Sequence, residues 1–157
     1  MGYNVADIIE KAINIAKKRK TLYKNIENKK DSILGIKIIS RVLIKEVDRT
    51  IEYYEELLKE AGNMNSEDID FSIYDKISFL INEFNGRINR VEINTVQDYL
   101  SFSLGMEKSL YSLLIDIQGR LVKTLNDTQT NTYKILSEII KNKADHILRL
   151  EKSFDKE

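Results

Sequence analysis

The absence of proline, together with only six glycines in 157 residues, constrains the fold of this chain more than any other feature. Proline and glycine end helices and form the turns between short strands, so a chain with so few of them favours long helices. Apolar residues recur at spacings of three and four, which is the period of an amphipathic helix. The sequence therefore predicts an all-α fold, and its length suits a single domain over residues 1–157.

Four long helices and one shorter helix are predicted from this period. A connector of some thirty residues, which contains the short helix, separates the second and third long helices. Such a connector can cross the length of a bundle, so that the second and third long helices run parallel, with one long crossover between them. The predicted ranges are about 5–26, 32–61, 95–125 and 127–154 for the long helices and about 73–84 for the short one.

Several helix ends carry residues that are typical of caps. Gly62 follows the second long helix and is predicted to adopt a left-handed C-cap conformation. Thr95 is predicted to cap the third long helix, with Asp98 completing a capping box. Either Asp127 or Thr128 is predicted to cap the fourth.

Charge and composition exclude several classes of protein. The 25 basic and 25 acidic residues cancel, so no net charge favours nucleic acid or an anionic membrane. No cysteine is present, which excludes disulfides, thiolate metal ligands and cysteine nucleophiles. The first twenty residues lack the order of a secretory signal, and no apolar run is long enough to span a bilayer. A cytoplasmic protein that binds neither nucleic acid nor membrane is expected.

Some ionisable side chains are predicted to face the interior of the bundle. On helical wheels, Glu46, Glu107 and Lys143 fall within the apolar sectors of their helices, and Arg19 lies near the middle of its apolar face. Isolated charges are costly in a core, so these groups are expected to pair with one another or to reach solvent.

The only histidine, His146, follows Lys143 by three residues on the fourth long helix. Both His146 and Arg49 lie at the edges of the apolar sectors of their helices. A lone histidine in such a position is more often a surface or edge residue with one hydrogen bond than a metal ligand. Only the register of His146 with Glu46 and Glu107 favours a role as a metal ligand.

Four stretches, one on each long helix and in this order, resemble the ferritin-like superfamily and specifically its rubrerythrin-like branch. They are "INIAKKRKTLY", "LIKEVDRTIEYYEELL", "DYLSFSLGMEKSLYSLL" and "IIKNKADHILRLEKSF". The resemblance implies a ferritin-like four-helix bundle. In this family the first and third helices each offer a glutamate, and the second and fourth each offer Glu-x-x-His. These ligands hold two iron or manganese ions for redox chemistry with oxygen or peroxide.

The family's ligand pattern is incomplete in this chain. Glu107 matches the glutamate of the third helix, and Glu46 matches that of the second. His146 matches the histidine of the fourth helix, whereas Lys143 occupies the place of its glutamate and Arg49 the place of the second helix's histidine. On the first helix the equivalent position is Ala16, and a shift of one turn would bring Arg19 or Ala12 there instead.

These departures lead to three hypotheses. In the first, Arg19, Arg49 and Lys143 supply the positive charge that metal ions supply in relatives, and the protein is a structural, binding or assembly module without a cofactor. In the second, Glu46, Glu107 and His146 form a reduced iron or manganese site, either of an oxidoreductase acting on peroxide or oxygen or of an iron-handling protein. In the third, which is compatible with the first, surplus apolar surface on the second helix forms a homodimer face or a partner groove.

Overall fold

The computed structural model describes residues 2–29, 32–88 and 92–155, and within these ranges the regular structure is helical. Tyr3 and Ile69 form one isolated antiparallel bridge. The all-α class is therefore confirmed. The helices are α1 (Val5–Glu27), α2 (Leu34–Gly62), α3 (Phe71–Ile88), α4 (Val96–Arg120), a short 3₁₀ helix (Leu125–Gln129) and α5 (Asn131–Asp155).

The predicted cap at Gly62 and the predicted capping box at Thr95 differ from the structure. Gly62 is the last residue of α2, and the C-cap is Asn63 with φ −97°, so the predicted left-handed cap at Gly62 is wrong. Because Asn63 stays in the right-handed region and its backbone N–H donates to the last carbonyls of α2, this helix end does not require a glycine. Thr95 caps α4 as predicted, because its hydroxyl accepts a hydrogen bond from the Asp98 backbone N–H at 3.0 Å. Asp98 accepts from the Asn94 N–H at 3.4 Å, so the reciprocal bond of a capping box is not formed.

The connection between α4 and α5 is longer than predicted. Helix α4 ends at Arg120, and the residues expected to cap the last helix form the separate 3₁₀ helix. Asp127 accepts hydrogen bonds there from the Lys123 and Thr124 backbone N–H groups, at 2.7 and 2.9 Å. The cap of α5 is Thr130, whose hydroxyl accepts from the Tyr133 N–H at 3.1 Å. The prediction of Asp127 or Thr128 as this cap is therefore wrong.

Contacts between helix ends fix the directions of the helices. The Ser40 and Tyr99 hydroxyls lie 2.8 Å apart, so α2 and α4 begin at the same end of the bundle. At the other end, Glu67 accepts hydrogen bonds from the Thr132 backbone N–H and hydroxyl, both at 3.0 Å. Helices α2 and α4 therefore run in the same direction, as the length of the connector predicts. The antiparallel partners α1 and α5 run the opposite way, and α3 leads the chain back across the bundle.

The core consists of two hydrophobic clusters that meet at the middle of the long helices. On α1, Ile15 belongs to the larger cluster and Tyr23 to the smaller one. On α4, Leu110 belongs to the larger cluster and Tyr99 to the smaller one. Among the described residues, no helix has the length and apolar character that crossing a membrane requires. The buried charged residues lie where the two clusters meet.

Candidate functional site

Glu107 is the centre of a buried ionic cluster that joins three helices. Its side chain on α4 is 2% exposed. The Lys143 ammonium on α5 donates a hydrogen bond to Oε2 of Glu107 at 2.7 Å, and the Arg19 guanidinium on α1 donates to Oε1. We call Arg19, Glu107 and Lys143 the buried triad. The structure thus brings together three of the residues that the sequence predicted to face inward.

Each member of the buried triad interrupts an apolar stripe on its helix. Residues four positions away along a helix share a face, so a charged side chain between two buried apolar ones must also point inward. This periodicity explains why the cluster was predictable from sequence. The buried apolar neighbours are Ile15 and Tyr23 for Arg19, Leu100 (two turns before) and Leu110 for Glu107, and Ile139 and Ile147 for Lys143.

The charges of the buried triad stabilise one another. Burial acts to raise the pKa of Glu107, but the charges of Arg19 and Lys143 outweigh it and hold this pKa at about 2. Burial acts to lower the pKa of Arg19, and the attraction of Glu107 raises it nevertheless. Burial lowers the pKa of Lys143, while Glu107 opposes this effect. Two cations facing one carboxylate leave the buried triad with a net positive charge.

His146 lies beside the buried triad and is 7% exposed, which is more buried than its position at a sector edge predicts. Its Nδ1 is 3.9 Å from Oε2 of Glu107, and its Nε2 is 3.7 Å from Oε2 of Glu46. Burial lowers the pKa of His146, with a further contribution from the charge of Lys143. The imidazole is therefore neutral at pH 7, and its Nε2 is buried without a hydrogen-bond partner.

Glu46 and Arg49 lie outside the buried triad. The Glu46 side chain is 30% exposed and the Arg49 side chain is 74% exposed, and the two form a hydrogen bond of 3.1 Å. Glu46, which the helical wheel places in the apolar sector of α2, thus reaches solvent and pairs with Arg49, and Arg49 does not join the cations that compensate Glu107. The reason is that the apolar sector of α2 extends to a solvent-open groove, where side chains that point away from α1 still reach water.

The ligand set that the sequence outlined does not assemble into a metal-binding geometry. Among the described residues, no group of three His, Asp or Glu side chains is placed to hold a metal ion. Ala16 is 1% exposed and offers no ligand, and the side chain that α1 contributes is that of Arg19. Both oxygens of Glu107 accept hydrogen bonds from cations.

The sequence did not predict that Tyr23 lies beside Arg19 or that a groove separates α2 from α5. The hydroxyl of Tyr23, one helical turn after Arg19, is buried without a hydrogen-bond partner, as is Nε of Arg19. Burial raises the pKa of Tyr23, so the phenol stays neutral beside the cation. The i, i+4 spacing of Arg19 and Tyr23 was the signal available in the sequence. The groove lies between α2 and α5, has a volume of about 770 Å³, and includes His146 in its wall.

Comparison of the chain with protein-family models, curated proteins and solved structures finds no significant match.

The pKa shifts predict loss of stability in acid. Because the pKa of Glu107 is depressed from 4.5 to about 2 in the fold, its contribution is present above pH 4.5 and is lost as the pH falls towards 2. The lowered pKa of His146 acts in the same direction below pH 6.5. We expect the free energy of unfolding, measured by urea denaturation, to fall by roughly 3 kcal/mol from the Glu107 contribution alone. A Glu107→Gln variant should show a flatter dependence on pH, and an unchanged slope would contradict this assignment.

Proposed function

We propose that this chain is a ferritin-like bundle, related to the rubrerythrin-like branch, that has replaced redox chemistry at two metal ions by a structural, binding or assembly role. One observation carries the proposal. Glu107 matches a ligand position of the family, and both of its oxygens are held by cations from neighbouring helices, Arg19 and Lys143. In relatives, the positive charge that balances the carboxylates comes from metal ions.

The side chains around Glu107 do not fit a di-metal centre. Such a centre balances four carboxylates with two cations, whereas here Lys143 occupies a carboxylate place and Arg19 extends from the first helix. An incoming metal ion would meet the ammonium of Lys143 at close range. At 4 Å and an effective dielectric constant of 20, like charges repel by about 4 kcal/mol for each pair of unit charges, and a divalent ion doubles this. Arg19 and Lys143 thus compensate the charge of Glu107 without a metal ion.

The alternative of an iron or manganese oxidoreductase rests on Glu46, Glu107 and His146. The histidine lies within 3.7 and 3.9 Å of the two carboxylates, which is the observation that favours it. Ligation by Glu107 would require its oxygen to give up the hydrogen bond from Lys143. This requirement makes the metal-free function the preferred proposal.

A homodimer through helical faces stays a prediction. Leu34, Ile38 and Val42 recur every four residues on α2, and each is more than half exposed, at 72%, 51% and 53%. An exposed apolar stripe of this kind supports contact with another molecule, either a second copy of the chain or a ligand.

Metal loading tests the proposed function. The purified protein is incubated without oxygen with an excess of iron(II) or manganese(II), separated from free metal by gel filtration, and analysed for metal per chain. We expect much less than one equivalent. One or more equivalents, retained through gel filtration, would contradict the proposal and favour the alternative.

A further inference from the structure

The groove between α2 and α5, which we call the α2–α5 groove, has the size of a small-molecule site. Its volume of about 770 Å³ lies within the range of 300–1,000 Å³ that is typical of ligand pockets. It is open to solvent along one side, and its walls differ in chemistry along its length. The apolar part is formed by Ile38, Ile39, Val42 and Leu150.

The polar part of the groove begins at the level where Glu46 meets His146. Because α2 and α5 run in opposite directions, Arg49 lies one turn to one side of this level and Arg149 one turn to the other. Both arginines line the groove. Two arginines and one carboxylate, that of Glu46, therefore line the groove at the level of His146 and one turn to either side of it.

His146 offers the groove an unused hydrogen-bonding atom. Its Nε2 is buried without a partner, while the residue as a whole is 7% exposed and lines the groove. Buried polar atoms in native proteins are nearly always hydrogen-bonded, so an unpartnered ring nitrogen at a groove wall points to a ligand. Nε2 can donate a hydrogen bond to an oxygen when it carries the imidazole proton.

The charges around the polar part favour an anion. Arg49 is paired with Glu46, Arg149 adds a second guanidinium to the groove, and behind His146 lies the buried triad with its net positive charge. An arginine binds a carboxylate through two parallel hydrogen bonds, which gives strength and orientation together. A bound carboxylate would therefore receive hydrogen bonds from guanidinium groups and from Nε2 of His146.

We propose that the α2–α5 groove binds a small amphipathic carboxylate, with its charged end at His146 between Arg49 and Arg149 and its apolar tail along Ile38, Val42 and Leu150. The distance along α2 from Ile38 to Glu46 is about 12 Å, which suits an alkyl chain of medium length. An apolar helix from a second copy would fill the apolar part but would leave the buried Nε2 without a partner. The inference deepens the binding role proposed above by naming the class of ligand.

The test uses decanoate and the 157-residue chain. Isothermal titration calorimetry should show saturable binding of one decanoate per chain. The double variant Arg49→Ala with Arg149→Ala should weaken this binding at least about tenfold, because charge-assisted hydrogen bonds are lost. His146→Phe should weaken it as well. Both arginines are exposed, so their removal leaves the fold intact, and Arg120→Ala, a surface arginine paired with Asp116, is the matched control and should bind as wild type does.

Ligands with the same alkyl tail as decanoate but a different head group test whether the carboxylate is needed for binding. Decanol and decylamine should bind at least about tenfold more weakly than decanoate, because neither offers an anion to the arginines. Equal binding of all three compounds, or unchanged binding by the double variant, would overturn the inference. A dimer seen by analytical ultracentrifugation would also overturn the inference if Ile38→Arg dissociates it and decanoate leaves it intact. A second copy of the chain would then occupy the groove.

The outcome is independent of the metal analysis. If the protein retains metal and decanoate binding still depends on the two arginines, the proposed metal-free function fails and the groove assignment stands. If the protein takes up no metal and decanoate does not bind, the groove assignment fails and the metal-free function stands.

Discussion

Replacing Glu107 by glutamine is expected to lower the free energy of unfolding by about 3–5 kcal/mol, the cost of removing one partner from a buried ion pair. Glutamine preserves the shape of the side chain but leaves Arg19 and Lys143 buried without a counter-charge. The two cations would then repel each other, and each would lose its charged acceptor. Urea denaturation followed by circular dichroism at pH 7 measures the change.

Two controls separate this charge effect from a general loss of packing. Glu46→Gln changes a carboxylate that is 30% exposed, and its cost should stay below about 1 kcal/mol. The triple variant Arg19→Met, Glu107→Leu, Lys143→Met removes the charges together, and it should recover most of the stability lost by Glu107→Gln. If Glu107→Gln unfolds at the same urea concentration as wild type, the buried triad is not a charged cluster in the folded protein.

Replacing both Arg19 and Lys143 by glutamate is expected to create metal binding. Two further carboxylates would then face Glu107, near Glu46 and His146, and their mutual repulsion in a buried site needs cations for balance. We expect the metal-free double variant to be strongly destabilised and to gain stability with manganese(II) or iron(II). A metal concentration 100 times the dissociation constant would raise the free energy of unfolding by about 2.7 kcal/mol.

The matched control is Arg19→Gln with Lys143→Gln, which removes the same cations without adding carboxylates. It should show little stabilisation by manganese(II). Adding Arg49→His to the glutamate variant tests the histidine position on the second long helix, although Arg49 is 74% exposed in this fold and its effect should be smaller. A folded glutamate variant that metal does not stabilise would contradict the idea that the two cations occupy metal positions.

The helical period made the helices and the buried triad predictable. Arg19, Glu107 and Lys143 each lie between apolar residues at multiples of three and four, and that spacing alone determines which way a helical side chain points. The ends were less predictable, because a cap depends on which hydrogen bonds compete locally. Asp127 and Thr128 could cap either a long helix or a short turn. The hydrogen bonds that the Lys123 and Thr124 backbone N–H groups donate to Asp127 stabilise the short turn.

The surroundings of Glu46 and Arg49 could not be predicted from one helix. A helical wheel gives the direction of a side chain but does not show whether another helix lies in that direction. Helix α2 packs closely against α1, and on its other side the α2–α5 groove admits solvent to Glu46 and Arg49. The sequence left open which residue of α1 lies beside Glu107, and the hydrogen bond between Arg19 and Glu107 identifies that residue as Arg19.

A crystal structure of the wild-type protein, grown or soaked without oxygen in manganese(II) and measured at the manganese absorption edge, tests directly whether basic side chains occupy the place of metal ions at Glu107. We expect no anomalous peak near Glu107, and we expect the Lys143 ammonium to lie within hydrogen-bonding distance of Oε2 of Glu107, as in the 2.7 Å contact described above. An anomalous peak coordinated by Glu107 together with Glu46 or His146, with the Lys143 side chain turned away, would contradict this expectation.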